Sequence, residues 1–546
     1  MLWRRRRVAL GAHLEGHVKR TAHRRIAAAI ILSLFTSLLP MAAVSQSRIG
    51  DSPSNPLVIA YNGGAVTLDP IMRAENTTFS WQRHIFDTIT IQDANTGRPL
   101  PHIATSWKIV GQNRWRFELR KGVKFQNGRE MTSQDVADSI MDTATNPKAQ
   151  LRYYLVSVAS ADPAGPNAVI ITTKESNPLL PLDLANVPVM PELEIKRDGR
   201  AFLDTHPIGT GPYEFVSWLA QDHLTLKSWS GYWGPKPAFD NVKLENIPNG
   251  ATRLAGLLSG QIQVAEKVDP SDFARVKSSG TSYITAIGGV RVIYLAMDDW
   301  RKDDTPGIPG GKNPFLDVRV RKAVYEAIDV NALRDKIFYG AAVPATQWLG
   351  SSLEEHDPSL KRFPYDPAAA KKLLADAGYP DGFTVRLDAP NDRYLDDALV
   401  AQAIGGMLQN VGIKVQVNAE TKAVFFPQVD KGDFTMYMAG WGPNDPFSNW
   451  NAVFHCRDQA HGYGIPANRE HYCNPKADDI MLRAGSIFDE KFRVPVERQA
   501  YAIAERQDFA YIPLYWEDVI AGVNDHVNWQ SRPADELILA WMMTRK

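Results

Sequence analysis

The chain is poor in cysteine. Its 546 residues hold two, Cys456 and Cys473. One pair cannot supply the disulfide framework of a small stapled domain or a four-thiolate zinc site. No CxxC or HExxH pattern accompanies it. His455, His461 and His471 flank the pair, so a metal reading exists, but a disulfide is the simpler use of an isolated pair in an exported chain. No internal repeat or low-complexity tract is present, and no apolar run reaches the 18 residues that suggest a membrane-spanning helix. Net charge is also missing, with 61 basic and 61 acidic residues. That balance hides an asymmetry. The first 45 residues carry eight basic side chains against the single acid Glu15, which leaves the remainder at about −7. An acidic body lacks the basic footprint of a nucleic-acid-binding protein.

What is present is globular. Hydrophobic residues make up 44% and charged residues 22%, which excludes wholesale disorder. The length corresponds to about three or four domain-sized units. The N-terminal asymmetry has its own reading. Basic residues ending at Arg24 and Arg25 precede an apolar run over 26–39, then Pro40, with Ala43 and Ser45 at the −3 and −1 positions for cleavage before Gln46. That order is the layout of a secretory signal peptide over 1–45, and the run is too short for a membrane anchor. The expected location is the periplasm.

Beyond it, strand-like and helix-like periodicities alternate, which predicts a mixed α/β architecture. Trp115, Phe117 and Leu119 alternate with Arg114, Arg116 and Glu118, the period of a half-buried strand. Thr132 and Asp135 form a capping box that opens a helix over about 133–145. Asp317 caps a helix with the stripe Val320, Ala323, Val324, Ala327 and Ile328. Asp366 followed by Pro367 starts another, which Gly378 ends. Residues 298–314, dense in charge, Gly and Pro, predict a long exposed loop.

Catalytic signatures fail one by one. There is no G-x-S-x-G elbow and no S-x-x-K set. Gly311 and Lys312 suggest a phosphate loop, but Pro306 and Asn313 replace its required residues. Gly209 and Gly211 begin a dinucleotide loop that Glu214 spoils. An exported hydrolase with an unrecognised carboxylate pair remains the rival class.

Five collinear stretches decide more. The first, over 104–141, contains Ser106-Trp107, Leu119-Arg120-x-Gly122-Val123-Lys124-Phe125, Asn127-Gly128 and Asp135-Val136. The others are IGTGPYEFVSWL from Ile208 with GYWGPKPAFDNV over 231–242, FLDVRVRKAVYEAID over 315–329, YDPAAAKKLLADAGYPDGF from Tyr365, and GDFTMYMAGW over 432–441. In order and spacing they resemble the family 5 extracytoplasmic solute-binding proteins, the peptide- and nickel-type receptors of ABC importers. The resemblance implies an α/β, two-lobed periplasmic binding protein fold with a hinge and an extra inserted domain. The first lobe would comprise 46–87, 208–294 and 511–546, the inserted domain 88–207, and the second lobe 295–510.

It also implies capture without catalysis. A small solute, peptide or peptide-like, would be held between the lobes and delivered by a monomeric receptor to inner-membrane permease subunits with their ATPases. No cofactor or metal is implied. An opine, an oligosaccharide or a chelated metal are the other solutes within the class. The candidate binding residues are Ala74, Glu75 and Asn76 in the first lobe, pairing with ligand backbone like an added strand, and Gly440, Trp441, Gly442, Asn444 and Asp445 in the second. In peptide-binding relatives an Asp in the latter segment pairs with the ligand's ammonium group. Counting places Asn444 there, with Asp445 as the alternative. Asn at that place favours a ligand without a free ammonium. Cys456 and Cys473 match a cysteine pair of dipeptide-binding members.

Overall fold

The computed structural model describes residues 47–546 except 304, 309–311, 443, 444, 460, 461, 466 and 535. The signal-peptide reading of 1–45 therefore lies outside the described residues. No described helix is long and apolar enough to cross a membrane.

The local elements start where their caps predict. The helix Ser133–Thr145 opens on the reciprocal Thr132–Asp135 box. Asp317 caps Val318–Glu326, and Asp366 caps Pro367–Asp376 through the N–H groups of Ala368 and Ala369. Each short oxygen acceptor satisfies helix-terminal donors that have no partner within the helix. The strand Arg114–Leu119 buries Trp115, Phe117 and Leu119, as its alternation predicts. It belongs to a four-stranded antiparallel sheet in the order Ala104–Gly111, Arg114–Leu119, Ala168–Thr173, Val158–Pro163.

One eleven-stranded sheet runs through the rest. Its axis is an antiparallel pair of long strands, Ser282–Met297 and Tyr511–Asn524. On one side of this pair lie Val264–Glu266, Leu57–Tyr61, Asn241–Asn246, His223–Ser228 and Tyr213–Leu219; on the other lie Met436–Trp441, Phe383–Pro390 and Ile413–Glu420, and the eleventh strand, Ala342–Pro344, pairs with Tyr511–Asn524 off this path. The two ends have separate cores. Leu57, Ile59, Leu244, Phe117 and Val136 share one core, so the four-stranded sheet packs continuously with the first end.

At the second end both faces of the sheet are covered. Ile293, Leu295, Met436 and Met438 face one core, whereas Val292, Tyr294, Tyr437 and Ala439 face another. Burial on both sides explains why these strands read as unbroken apolar runs instead of alternating ones.

The register of the long pair shifts twice, between Gly288 and Val292 and again between Ile293 and Tyr294. Pairing holds to Gly288 and Asp518, slips, and resumes at Val292 and Trp516. A Cβ on Gly289 would lie 2.9 Å from the carbonyl oxygen of Glu517, so the close approach at the slip requires glycine. Such irregularities bend a strand and re-aim a side chain. Arg291 lies within this stretch, directly before pairing resumes.

The described residues over 298–313 form the loop their composition predicts, exposed at Trp300, Lys302, Asp303, Gly307 and Lys312, but its two ends depart from that expectation. Asp298 and Asn313 are buried. Arg301 donates to the carbonyls of Gly432 at 2.6 Å and Phe434 at 2.8 Å, and Asn313 Nδ2 donates to those of Asp298 and Arg301. Charged side chains of a Gly- and Pro-rich stretch here act as backbone partners, an arrangement that composition cannot distinguish from solvation.

Cys456 and Cys473 form a disulfide across 17 residues. His455 instead faces the Cys456 carbonyl through Nδ1 at 2.7 Å, and His471 stacks on Trp300 with ring centroids 4.2 Å apart; His461 is outside the described residues. In the chain-entropy picture the bridge contributes about 3 kcal/mol. The double variant Cys456→Ala/Cys473→Ala is expected to unfold at lower denaturant by about that free energy. An unchanged unfolding midpoint would show that the segment is held by packing alone.

Candidate functional site

A cavity of about 300 Å³ opens beside the slip in the long strand pair. Walls come from both ends of the sheet. Glu75 and Asn76 reach it from the first end. Glu75 is extended and caps the helix Asn76–Gln82, accepting from the Thr78 N–H at 3.2 Å and the Thr78 hydroxyl at 2.9 Å. Ala74 also lines the cavity, but its N–H is donated to Gln150 Oε1 at 2.9 Å. Asn76 is the first helical residue, and its Nδ2 donates to Glu536 Oε2 at 2.6 Å.

The opposite wall is the end of Met436–Trp441. Gly440, Trp441 and Gly442 all line the cavity. A Cβ on Gly440 would approach Ile293 Cδ1 and Tyr394 Cε1 to 2.7 Å, so glycine lets the Tyr394 ring lie flat against the strand. The Tyr394 hydroxyl then donates to the Gly440 carbonyl at 3.2 Å.

Between the walls sits a buried charge cluster. Arg291, 7% exposed, pairs with Glu536 and stands 3.7 Å from Glu517. Burial disfavours the guanidinium charge, but Glu536 and Glu517 outweigh it and push its pKa up. Burial likewise pushes the Glu536 carboxyl up, while Arg291 more than reverses this and holds it below the usual carboxylate range. Arg291 and Glu536 therefore favour each other's charged form. Arg83, Arg393 and Arg469 add three more cations to the wall, with Tyr153 and Tyr154 on the first side.

Asn444 lies outside the described residues. Asp445 is described and does not line the cavity. It caps the short helix Pro446–Asn449, accepting from the Ser448 N–H at 2.6 Å, and is 2% exposed. Its neighbour from the first side is Asp183, which accepts from Asn177 Nδ2 at 2.8 Å. Burial first, then the Asp445 charge, pushes the Asp183 carboxyl far up; burial also pushes Asp445 up, against its helix-terminal hydrogen bonds and Arg493. Glu355, Glu497, Tyr153, Tyr154 and Tyr501 feel the Asp445 charge as well.

Sequence reasoning missed Arg291, Arg393 and Glu536. Arg291 carried a signal, a lone charge inside the apolar strand GGVRVIYLAM. A buried charge there requires a partner, but nothing local shows which.

Residues 98–461 match the family described as "Bacterial extracellular solute-binding proteins, family 5 Middle". The chain belongs to this family. This family 5 protein is 24% identical over 510 residues to the dipeptide-binding protein of Escherichia coli strain K12, covering 87% of this chain and 92% of that one. It is 26% identical over 503 residues to the glutathione-binding protein GsiB of Escherichia coli O1:K1, covering 90% and 93%. Among solved structures, the periplasmic binding protein DppA of Helicobacter pylori, in complex with the peptide STSA, superposes with a TM-score of 0.76 at 22% identity, covering 90% of this chain and 98% of that one. The fold of this family 5 protein is thus the two-lobed α/β periplasmic binding protein fold with a hinge and an inserted domain.

The Asp183–Asp445 pair gives a pH prediction. Between the ordinary carboxyl pKa and the raised one, the folded chain binds more protons than the unfolded chain, so the pair's contribution to stability falls as pH rises through that window. Asp183→Asn is expected to stabilise the protein at pH 8 by about 1–3 kcal/mol and to lose that advantage towards pH 4. Denaturant unfolding at the two pH values checks it; an equal effect at both would exclude the linkage.

Proposed function

We propose that this chain is the solute-capturing component of an ABC importer, exported through a cleaved signal peptide over 1–45, with a peptide or peptide-like solute as its cargo. The observation that carries this reading is the position of the cavity. It lies at the break in the two long strands, and each end of the sheet contributes a wall. Its volume stands at the lower end of the range of small-molecule sites. The binding proteins it resembles are those of a dipeptide, of glutathione and of the peptide STSA.

In this reading the first lobe comprises 46–87, 208–294 and 511–546, the inserted domain 88–207 and the second lobe 295–510. Ala74, Glu75 and Asn76 meet the solute from the first lobe; Gly440, Trp441, Gly442 and Asn444 meet it from the second, while Asp445 serves as the cap of the helix that follows. Closing about the strand break buries the solute, and closure needs only the difference in affinity between open and closed states. The loaded monomer then docks on inner-membrane permease subunits whose ATPases drive uptake. The solute leaves chemically unchanged.

The test uses the purified chain and a pool of di- to pentapeptides. After gel filtration, mass spectrometry is expected to find intact peptides retained at one per protein, and scattering a more compact particle. Hydrolysed peptides, or no retention from the whole pool, would overturn the reading.

A further inference from the structure

The segment 88–207 touches residues 295–510 at several places. Tyr463 donates to Glu175 Oε1 at 2.8 Å, Arg98 donates to Glu490 at 2.9 Å, and the rings of Trp115 and Phe488 have centroids 5.8 Å apart. One contact is of another kind, because it sets carboxyl against carboxyl. Asp183 ends the short helix Leu180–Asp183, Asp445 faces it from the other side, and both are buried. Glu355 and Glu497 are buried as well and feel the Asp445 charge. Four buried carboxyls thus stand against one buried guanidinium among the described residues, that of Arg493, whose Nε lies 3.3 Å from Glu497.

The other groups at the contact do not restore the balance. Arg498 acts on Glu355 but donates to the carbonyls of Glu354, Glu355 and His356. Arg83 acts on Tyr154 and donates to the carbonyl of Ala185. Tyr153 and Tyr154 on the first side and Tyr501 on the second are neutral phenols whose pKa burial pushes up. Burial and then Glu355 push the Glu497 carboxyl up to about 8. Hydrogen bonding agrees with the charge count. Asp183 Oδ2 accepts from Asn177, whereas Oδ1 has no hydrogen-bond partner among the described residues. The Ser448 hydroxyl acts on both Asp183 and Asp445, but a hydroxyl has one proton to give and serves one carboxylate. A proton on Asp183 supplies the missing donor and removes the like-charge repulsion.

We propose that Asp183 and Asp445 form a proton-operated latch: closure of the segment 88–207 onto the second lobe takes up a proton, so the receptor holds its solute more tightly in acid. This rests on the two-lobed receptor reading above and adds a regulation to it. When the two sides part, water reaches Asp183, its carboxyl returns towards the ordinary range, and the proton leaves. The bias towards the closed form is full near the ordinary carboxyl pKa and is lost as pH rises through the raised one. A ligand that binds only the closed form inherits that bias in its affinity.

The experiment measures capture by the full chain at pH 5 and pH 7, using di- to pentapeptides without Asp, Glu or His, whose own charges change little between these values. The best-retained peptide is expected to bind at least about fivefold more tightly at pH 5, within the limit of about tenfold per pH unit for one proton. Asp183→Asn puts a permanent N–H donor in place of the proton. It should raise the affinity at pH 7 and shrink the ratio between the two pH values. Equal affinity at both values in the unaltered chain, or an undiminished ratio in Asp183→Asn, would overturn the latch and leave the receptor reading standing. Retention of no peptide at either pH overturns the peptide-cargo reading instead. Scattering from the solute-free chain then decides the latch: a particle more compact at pH 5 than at pH 7 supports it, and one of equal size sinks it. Because the first comparison uses the unaltered chain, a variant that fails to fold does not rescue the proposal.

Discussion

The ion cluster of Arg291 with Glu536 and Glu517 is the interaction on which the rest of the site depends. It occupies the first and wider of the two register shifts in the pairing of Ser282–Met297 with Tyr511–Asn524. A continuous ladder at this point would direct residue 291 onto a face of the sheet, where apolar cores wait on both sides. The slip releases it. Once buried, a guanidinium needs compensation, and removal of one partner from such a cluster costs about 3–5 kcal/mol. Glu517 comes from the facing strand, and Glu536 from the chain segment that follows it. The charge thereby ties the C-terminal segment to the strand break, and Asn76 joins through the same Glu536 oxygen. Three distant stretches of sequence meet because one charge must be neutralised.

That arrangement also explains why the cavity persists as a polar space between apolar cores. The wall charges neutralise one another or cap helices, so few of them are free to answer a ligand. Two buried carboxyls, Asp183 and Asp445, approach each other from the two sides close by, and Arg493 offsets only part of what burial costs Asp445. The contact across the cleft is thus poised: favourable packing brings the sides together while the carboxyls resist ionisation. A weakly biased contact suits a receptor that must open again, because a closed state stabilised by many kcal/mol without solute would blunt any response to it.

Much of the scaffold was legible in the residues. Caps such as Thr132 with Asp135, Asp317, and Asp366 before Pro367 state where helices start, because the chemistry is local. The disulfide followed from having two cysteines in an exported chain, and Gly440 to Gly442 from a motif at the end of an apolar strand. Asp445 before Pro446 carries the same signal as Asp366 before Pro367, and it acts as the same kind of cap. Its dipeptide therefore pointed to a structural task as much as to a ligand. The pairing of Arg291 was not legible, since its partner Glu536 lies 245 residues away and no local pattern selects it. The ends of residues 298–314 misled for a related reason. Arg301 and Asn313 look like solvated polar residues until the carbonyls they serve, those of Gly432 and Phe434 among them, are brought alongside.

The contrast between the two kinds of arginine carries the last step. Arg291 is costly to bury and is answered within the chain, so it can hold the strand break in one geometry whether or not solute is present. Arg393 stands on the same wall, in the turn that Asp397 fixes through two backbone N–H groups, and its charge acts on the same Glu536 carboxylate without an ion pair among the described residues. A turn held by its own hydrogen bonds makes a preorganised wall, because the protein has already met the ordering cost that a ligand would otherwise have to offset.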